Sequence, residues 1–339
     1  MKKILVTGSA GFIGFHLVKA LLKAGYKVTG IDNLNDYYDP QLKMDRLDNL
    51  SIFSEKNDLT GKYTFIKLDI ANDCELRSLF EEQEFDIVIN LAAQAGVRYS
   101  LENPKAYVES NLVGFTNILE CCRSAKIKHF IFASSSSVYG MNVKQPFSTS
   151  DNTDYPISLY AATKKSNELL AYSYSHLFQI PTTGLRFFTV YGPYGRPDMA
   201  YYKFTTAIEK GSPIDVFNNG EMLRDFTYID DIIEGILRLL PKIPIPIKSN
   251  ISNALAPFSV FNIGNNSPIS LRRFISSIES ALGKSATENL LPMQPGDVPV
   301  TFADIDPLIL NCGFKPSTTI EDGMLKFVDW YKTEREKKL

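Results

Sequence analysis

Gly8-Ser9-Ala10-Gly11-Phe12-Ile13-Gly14 decides the fold of this 339-residue chain. It follows Lys3–Thr7 (KILVT), a short, β-branched and nearly all-apolar run of the kind expected for a strand buried on both faces. It precedes Phe15–Ala24, which keeps helical periodicity until Gly25, a residue suited to the left-handed position after a helix. Glycines between such a strand and helix permit a tight turn and close backbone approach. They also offer a pyrophosphate the positive N-terminus of the helix. The spacing is GxxGxxG rather than GxGxxG. A glycine trio alone is weak evidence; its place between the first strand and the first helix gives it weight.

Outward from this turn the pattern alternates. Lys27–Asp32 (KVTGID) reads as a second strand, followed by Tyr63–Asp69, Ile87–Leu91, Phe130–Ala133 and Thr182–Phe187. Helical stretches fall between them, around Cys74–Glu82, Tyr107–Ala125 and Tyr160–Phe178. Alternation of this kind predicts an α/β, Rossmann-type, doubly wound parallel sheet. After Val190 the composition shifts: 191–220 is rich in Gly, Pro and Tyr, and 241–257 is a Pro- and Ser-rich surface excursion. Helices are expected at Leu271–Leu282 and Ile320–Thr333. The expected division is a dinucleotide-binding domain over 1–190 and 229–265, with a smaller α/β substrate-binding lobe over 191–228 and 266–339.

Composition narrows the function classes. Hydrophobic content of 44% with 22% charged residues is that of an ordinary globular protein, and a net charge of −2 gives no reason to expect nucleic acid or an anionic membrane. The cysteines Cys74, Cys121, Cys122 and Cys312 form no CxxC pair, so neither zinc nor a disulfide scaffold is expected, and no metal site is assigned. Cys121–Cys122 reads as small apolar filler on a helix. Gly8, Gly11 and Gly14 interrupt the N-terminal apolar run that would otherwise suggest a signal peptide, so a cytoplasmic address is expected.

Asp32 closes the second strand, with Asn33 beside it. A carboxylate there accepts hydrogen bonds from adenosine ribose hydroxyls and repels a 2′-phosphate, which favours NAD over NADP; the plainer alternative is a turn residue. Asp69-Ile70 after the third strand is expected to flank the adenine. Leu91-Ala92-Ala93-Gln94 after the fourth is expected to line the nicotinamide ribose, its small residues admitting the cofactor to the backbone.

Tyr160-Ala161-Ala162-Thr163-Lys164 opens a long helix. At i and i+4 the two side chains share a face, so the ammonium favours the ionised phenol. Tyr63–Lys67 has the same spacing but lies along a strand, where four residues span about 13 Å and no such contact forms. The third element is Ala133-Ser134-Ser135-Ser136-Ser137-Val138-Tyr139-Gly140, whose hydroxyls emerge at the carboxyl edge of the sheet, where ligands bind in such folds. A serine there is placed to hydrogen-bond a sugar oxygen, unless the stretch is only a polar loop of small residues.

With these motifs the chain resembles the extended short-chain dehydrogenase/reductase (NAD-dependent epimerase/dehydratase) family over essentially its full length, and within it the UDP-glucuronate 4-epimerases. The carriers are TGSAGFIG (7–14), GIDNLNDYYDPQLK (30–43), AAQAGVRYSLENP (92–104), ASSSSVYG (133–140), YAATK (160–164), LRFFTVYGPYGRPDMA (185–200), RDFTYIDD (224–231) and MQPGDV (293–298). The resemblance implies Gly8, Gly11, Phe12, Ile13 and Gly14 on the cofactor and Ser135 as the catalytic hydroxyl beside Tyr160 and Lys164. Related dehydratases resemble Thr-Asp-Glu where this chain has Ser135, Ser136 and Ser137, and uronate decarboxylases carry a Glu at the third position. Without that carboxyl group, an oxidised 4-keto sugar is expected only to take its hydride back.

On the substrate, the resemblance implies Arg224 at the UDP diphosphate and Asp297 at the uridine ribose. Gln294 stands where galactose-type epimerases have Arg. Arg196 in GRPDMA is expected to bind the C6 carboxylate, the alternative being a surface arginine on a Gly/Pro loop. Thr189 is expected to face the pyranose, and Arg98 either adds positive potential or serves a structural ion pair. His16, His129 and His176 match no role in this chemistry. The expected activity is reversible C4 epimerisation of UDP-glucuronate to UDP-galacturonate. The runner-up is C4 epimerisation of UDP-N-acetylhexosamines or UDP-glucose/UDP-galactose, for which Thr301 suggests a roomy site. An NAD-sensing scaffold without activity would have no use for Tyr160 and Lys164. The family further implies a homodimer through the helices around 107–125 and 160–178, and a role in polysaccharide biosynthesis.

Overall fold

The run Lys3–Thr7 forms β1 at the heart of a seven-stranded sheet, and the glycine turn leads from it into α1, Phe12–Lys23. The structure is a computed structural model and describes residues 1–248, 255–293 and 298–335. Its contacts divide the chain into two units. The first comprises Met1–Met141, Thr149–Arg186 and Ile236–Phe261; the second comprises Asn142–Ser148, Phe187–Gly235 and Asn262–Leu339.

In the first unit β1 is followed by β2 (Lys27–Asp32), α2 (Gln41–Lys56), β3 (Tyr63–Lys67), α3 (Asp73–Glu82) and β4 (Ile87–Asn90). Then come α4 (Phe115–Ser124), β5 (His129–Ser135), α5 (Leu159–Phe178), β6 (Thr182–Phe187) and β7 (Phe258–Ile263). The strand order is β7–β6–β5–β4–β1–β2–β3. β1 pairs in parallel with β2 and β4, β2 with β3, and β4 with β5. The reversal of order at β1 makes its carboxyl end a topological switch point, the place where such sheets bind ligands. Ile4, Leu5 and Val6 of β1 and Phe130, Ile131 and Phe132 of β5 are fully buried, which explains why these strands read as continuous apolar runs rather than alternating ones.

The helix expected over Tyr107–Ala125 is present, and its winding changes along its length. Tyr99–Glu102 and Pro104–Tyr107 are short α-helical turns, and Val108–Gly114 is π-helical before α4 begins. Asn103 caps the second turn by accepting Ala106 N–H at 3.4 Å, with Pro104 in the first helical turn. Cys121 and Cys122 are buried on α4, and burial pushes the Cys121 thiol up to about 11 and Cys122 well above its ordinary value. Both are inert filler.

The second unit has a largely aromatic interior. Helices Ala200–Glu209, Leu271–Leu282 and Ile320–Trp330 surround Tyr191, Tyr201, Phe226, Phe274 and Phe327, and the Phe226 and Phe274 rings stack at 4.4 Å and 5°. The tyrosines of 191–220 therefore build a core. Of the excursion 241–257, Ile247–Lys248 pairs antiparallel with Leu255–Ala256, and 249–254 lies outside the described residues. Among the described residues no helix is long and apolar enough to cross a membrane.

His129 is structural. Its Nδ1 lies 3.2 Å from Leu240 O and its Nε2 2.9 Å from Thr183 Oγ1, and burial pushes its pKa down to about 4. Between that value and the ordinary 6.5, the unfolded chain carries a proton here that the folded chain does not. Stability is therefore lost as pH falls through this window, by up to about 3 kcal/mol from this one site. Thermal unfolding of His129→Phe should show a shallower loss of stability between pH 6.5 and 4 than the parent; parallel curves would remove His129 from the account.

Candidate active site

The glycine turn fits a dinucleotide. Gly8 has φ +68°, and a Cβ on it would stand 2.8 Å from the Ala92 backbone nitrogen. A Cβ on Gly11 would stand 2.9 Å from Gly8 O, and one on Gly14 would collide with the same oxygen. Side chains are thus excluded where the backbone must approach a ligand. Gly11 is the N-cap of α1 and supplies no side-chain cap, and the first turn holds no acidic residue. The N–H groups there, beginning with those of Phe12 and Ile13, suit an anion.

Asp32 is nearly buried at the end of β2. Its Oδ1 accepts Leu34 N–H at 2.9 Å and lies 3.5 Å from Lys43 Nζ. Asn33 donates to Asp69 Oδ2 at 2.9 Å, tying the end of β2 to the segment after β3, and Ile70 is buried. After β4, Leu91, Ala92 and Ala93 are half-buried. Ala92 N–H donates to Thr7 Oγ1 at 3.0 Å, and Gln94 N–H donates to Asn111 Oδ1 at 2.8 Å.

Three residues here escaped the sequence reading. Lys43 and Arg46 stand one turn apart on α2 and are 5% and 0% exposed. Arg46 donates to Ala10 O at 2.8 Å and to Tyr38 Oη at 2.6 Å, so a guanidinium props the glycine turn from behind. Their signal was two basic residues inside the apolar stripe Leu42, Leu47, Leu50. Asn111, buried in the π-helical turn, also donates to Thr163 Oγ1 at 3.0 Å, and Thr163 donates to Tyr160 O at 2.8 Å. The loop after β4 is thereby fastened to the helix that carries Tyr160.

At the carboxyl edge of β5, Ser135 Oγ donates to Ser137 Oγ at 3.0 Å and accepts Ser137 N–H at 3.1 Å, with Ser136 beginning a short 3-10 turn. Tyr160 and Lys164 lie in the first turns of α5, which Ser158 caps by accepting Ala161 N–H at 3.1 Å. Lys164 is buried; its ammonium donates to Ala133 O at 2.9 Å, and burial pushes its pKa down to about 8. Lys164 therefore ties α5 to the strand from which Ser135 emerges. One turn further along α5, Glu168 accepts Ser134 Oγ–H at 2.6 Å and takes Arg186 on both oxygens at 2.8 Å. Arg186 also donates to Tyr139 Oη at 2.9 Å. This buried pair holds both ends of the serine turn.

In the second unit Thr189 sits half-buried on a short strand paired with Phe226–Tyr228. Arg196 has its fork on Asp198, at 3.0 Å to Oδ1 and 2.5 Å to Oδ2. Arg224 donates to Leu223 O at 3.1 Å and Pro299 O at 3.0 Å. Beside it the buried Asp225, another residue missed in the sequence, accepts N–H bonds from Asn265 at 2.6 Å and from Asn266 and Ala303 at 3.0 Å. Gln294 and Asp297 lie outside the described residues. Arg98, in the first unit, is exposed at the start of the helical turn Tyr99–Glu102.

Residues 4–252 match the model of the NAD dependent epimerase/dehydratase family. The chain belongs to this family. Among its relatives, Protein CapI of Staphylococcus aureus is 56% identical over 335 residues, covering 97% of this chain and 98% of the relative. A probable UDP-glucuronate 4-epimerase of Rhizobium meliloti is 49% identical over 336 residues, covering 97% and 96%. The solved UDP-glucuronic acid 4-epimerase of Bacillus cereus, in complex with UDP-glucuronic acid and NAD, is 38% identical and superposes with a TM-score of 0.85 over 97% of this chain and 99% of that one. As an epimerase/dehydratase family member the chain uses NAD, and the glycine turn, the uncapped α1 and Asp32 are the parts of it that fit this cofactor.

Proposed function

We propose that the chain is a UDP-glucuronate 4-epimerase, an isomerase that interconverts UDP-glucuronate and UDP-galacturonate. The observation that carries this reading is the serine turn after β5 and what lies against it. Ser135 and Ser137 bond to each other, and the carboxylate that reaches the turn, Glu168, has both oxygens on Arg186. Hydroxyls are present for alcohol–ketone chemistry, while Glu168 is unavailable for proton abstraction from carbon.

NAD, when bound, supplies a hydride acceptor that is regenerated within each cycle. Tyr160 takes the proton of the C4 hydroxyl and later returns it, with Ser135 bridging to the sugar oxygen. Lys164, anchored on Ala133 O, keeps positive charge beside the tyrosine. The 4-keto sugar turns about its diphosphate anchor and presents its other face. Arg224, Gln294 and Asp297 hold the UDP moiety, Thr189 faces the pyranose and Arg98 adds positive potential. The first unit is in this reading the NAD-binding part and the second the UDP-sugar-binding part.

A 4-keto uronic acid is a β-keto acid and is prone to lose CO₂. Arg196 holds the carboxylate so that the C5–carboxyl bond stays out of line with the carbonyl π system. Its fork rests on Asp198, so the substrate carboxylate exchanges one bidentate partner for another. Arg196→Ala should raise KM for UDP-glucuronate by about tenfold to a hundredfold, the worth of a charge-assisted bond, and leave UDP-glucose little affected. Equal effects on the two sugars would detach Arg196 from the carboxylate.

The decisive experiment is incubation with UDP-glucuronate. UDP-galacturonate is the expected product, and UDP-pentose as the main product would overturn the proposal. The same reading makes the protein a cytoplasmic homodimer acting in polysaccharide biosynthesis. Leu169 and Leu177 on α5, 60% and 63% exposed, support the dimer with an apolar face.

A further inference from the structure

The segment after β2 reaches across to the segment after β4. Tyr37 lies with its ring 4.9 Å from that of Tyr99, at 45°. Its hydroxyl stands against Gly96, where a Cβ would come within 2.6 Å of it. Gly96 has φ +101°, so the loop is shaped there by a residue that both bends and makes room. Tyr99 continues to Tyr107 at 6.3 Å, and Tyr107 meets Tyr160 edge-on at 6.1 Å and 78°. Tyr107 is fully buried, and its hydroxyl donates to Ala95 O at 2.9 Å and Gly96 O at 2.5 Å. Four tyrosine rings therefore run in file from the β2 loop to the catalytic tyrosine.

Topology gives this file its meaning. In the sheet β1 lies between β2 and β4, and the glycine turn sits at its carboxyl end. A dinucleotide with its pyrophosphate at that turn lays its adenosine toward β2 and its nicotinamide toward β4. A contact joining the β2 loop to the β4 loop spans the same gap. Tyr37 and Tyr99 also wall a cleft of about 200 Å³ together with Asn33, Asp69, Gln94 and Ser110, the adenosine side of the site. Elsewhere the β2 loop is braced: Lys43 donates to Asn35 Oδ1 at 2.9 Å and stands 3.5 Å from Asp32, so the tyrosine is presented by a fixed arm.

We infer that Tyr37, seated on Tyr99 and against Gly96, is a clasp that closes over NAD and sets the rate at which the cofactor leaves. This rests on the dinucleotide reading above. It also meets a chemical need of the epimerase: a cofactor reduced in one half of the cycle must remain until the other half, or the keto sugar is stranded. Tyr37 has no part in the proton and hydride transfers proposed above; it is a positioning residue, and its effect falls on retention.

The test loads the purified protein with radiolabelled NAD and follows its exchange against excess unlabelled NAD. Tyr37→Ala should exchange about tenfold faster or more, the scale of one lost aromatic pair with its buried area, and Tyr37→Phe should restore most of the retention. Tyr99→Leu should match Tyr37→Ala, and the double variant should be no faster than either single one, because the two rings form one contact. Exchange by Tyr37→Ala within twofold of the parent, or additive effects in the double variant, would overturn the clasp. A parent protein that binds no NAD would overturn the dinucleotide reading and the clasp with it. That outcome is distinct from normal binding with unaltered exchange, which removes the clasp alone.

Discussion

A Tyr160→Phe variant should lose about 10²- to 10⁴-fold in turnover while holding as much NAD as the parent. The change removes one oxygen and little else. The ring keeps its edge-on contact with Tyr107, and the main chain of residue 160 still accepts the Thr163 hydroxyl at 2.8 Å. Lys164 stays on Ala133 O, so the positive charge near the reacting centre is preserved. What disappears is the group proposed to accept the C4 hydroxyl proton, and Ser135, whose hydroxyl is bonded with Ser137, has no charge with which to replace it. Initial rates with UDP-glucuronate, set beside the nucleotide released on denaturation, separate the two effects. Turnover within tenfold of the parent would take the proton-transfer role away from Tyr160.

Glu168→Ala should cost about 3–5 kcal/mol of folding stability. Glu168 and Arg186 are both nearly buried, and the pair is bidentate. Deleting the carboxylate leaves a guanidinium with no counter-charge on its fork and frees the Ser134 hydroxyl. A buried ion pair is not in itself a large source of stability; the cost arises from stranding one member. The double variant Glu168→Leu/Arg186→Met should therefore recover most of the loss in thermal unfolding. Its turnover should stay low, because Ser134 and Tyr139 at the ends of the serine turn lose their anchors together. A single-variant loss under about 1 kcal/mol would show that solvent or rearrangement satisfies Arg186.

Some of this architecture was legible because it is local. KILVT followed by GSAGFIG carries strand, turn and helix within a dozen residues, and its edges match the structure closely: β1 is Lys3–Thr7, and α1 begins at Phe12 rather than Phe15. Tyr160 and Lys164 were legible because i,i+4 spacing on one helix is a short-range geometric fact. Lys43, Arg46 and Asn111 were not, because their burial depends on partners far along the chain: Asp32, the carbonyl of Ala10, and Gln94. A basic residue in an amphipathic helix reads as solvent-facing until the acceptor behind it is known. The helix Ala200–Glu209 was hidden by the Gly- and Pro-rich sequence around it, and its rings make sense only once later residues arrive, Phe327 against Tyr201 and Phe274 against Phe204.

The π-helical turn Val108–Gly114 has a consequence for how this chain tolerates length changes. A π-helical turn holds one residue more than the α-helical turn it replaces, so shortening the segment by one would let it rewind as ordinary helix. Such a helix would look sound, and α4 would keep its phase, because the rewound turn completes the same circle with one residue fewer. The residue displaced would be Asn111, inside the turn, and with it the bonds to Gln94 and Thr163. A single-codon deletion in this turn would thus leave the fold intact and uncouple the loop that carries Gln94 from the helix that carries Tyr160.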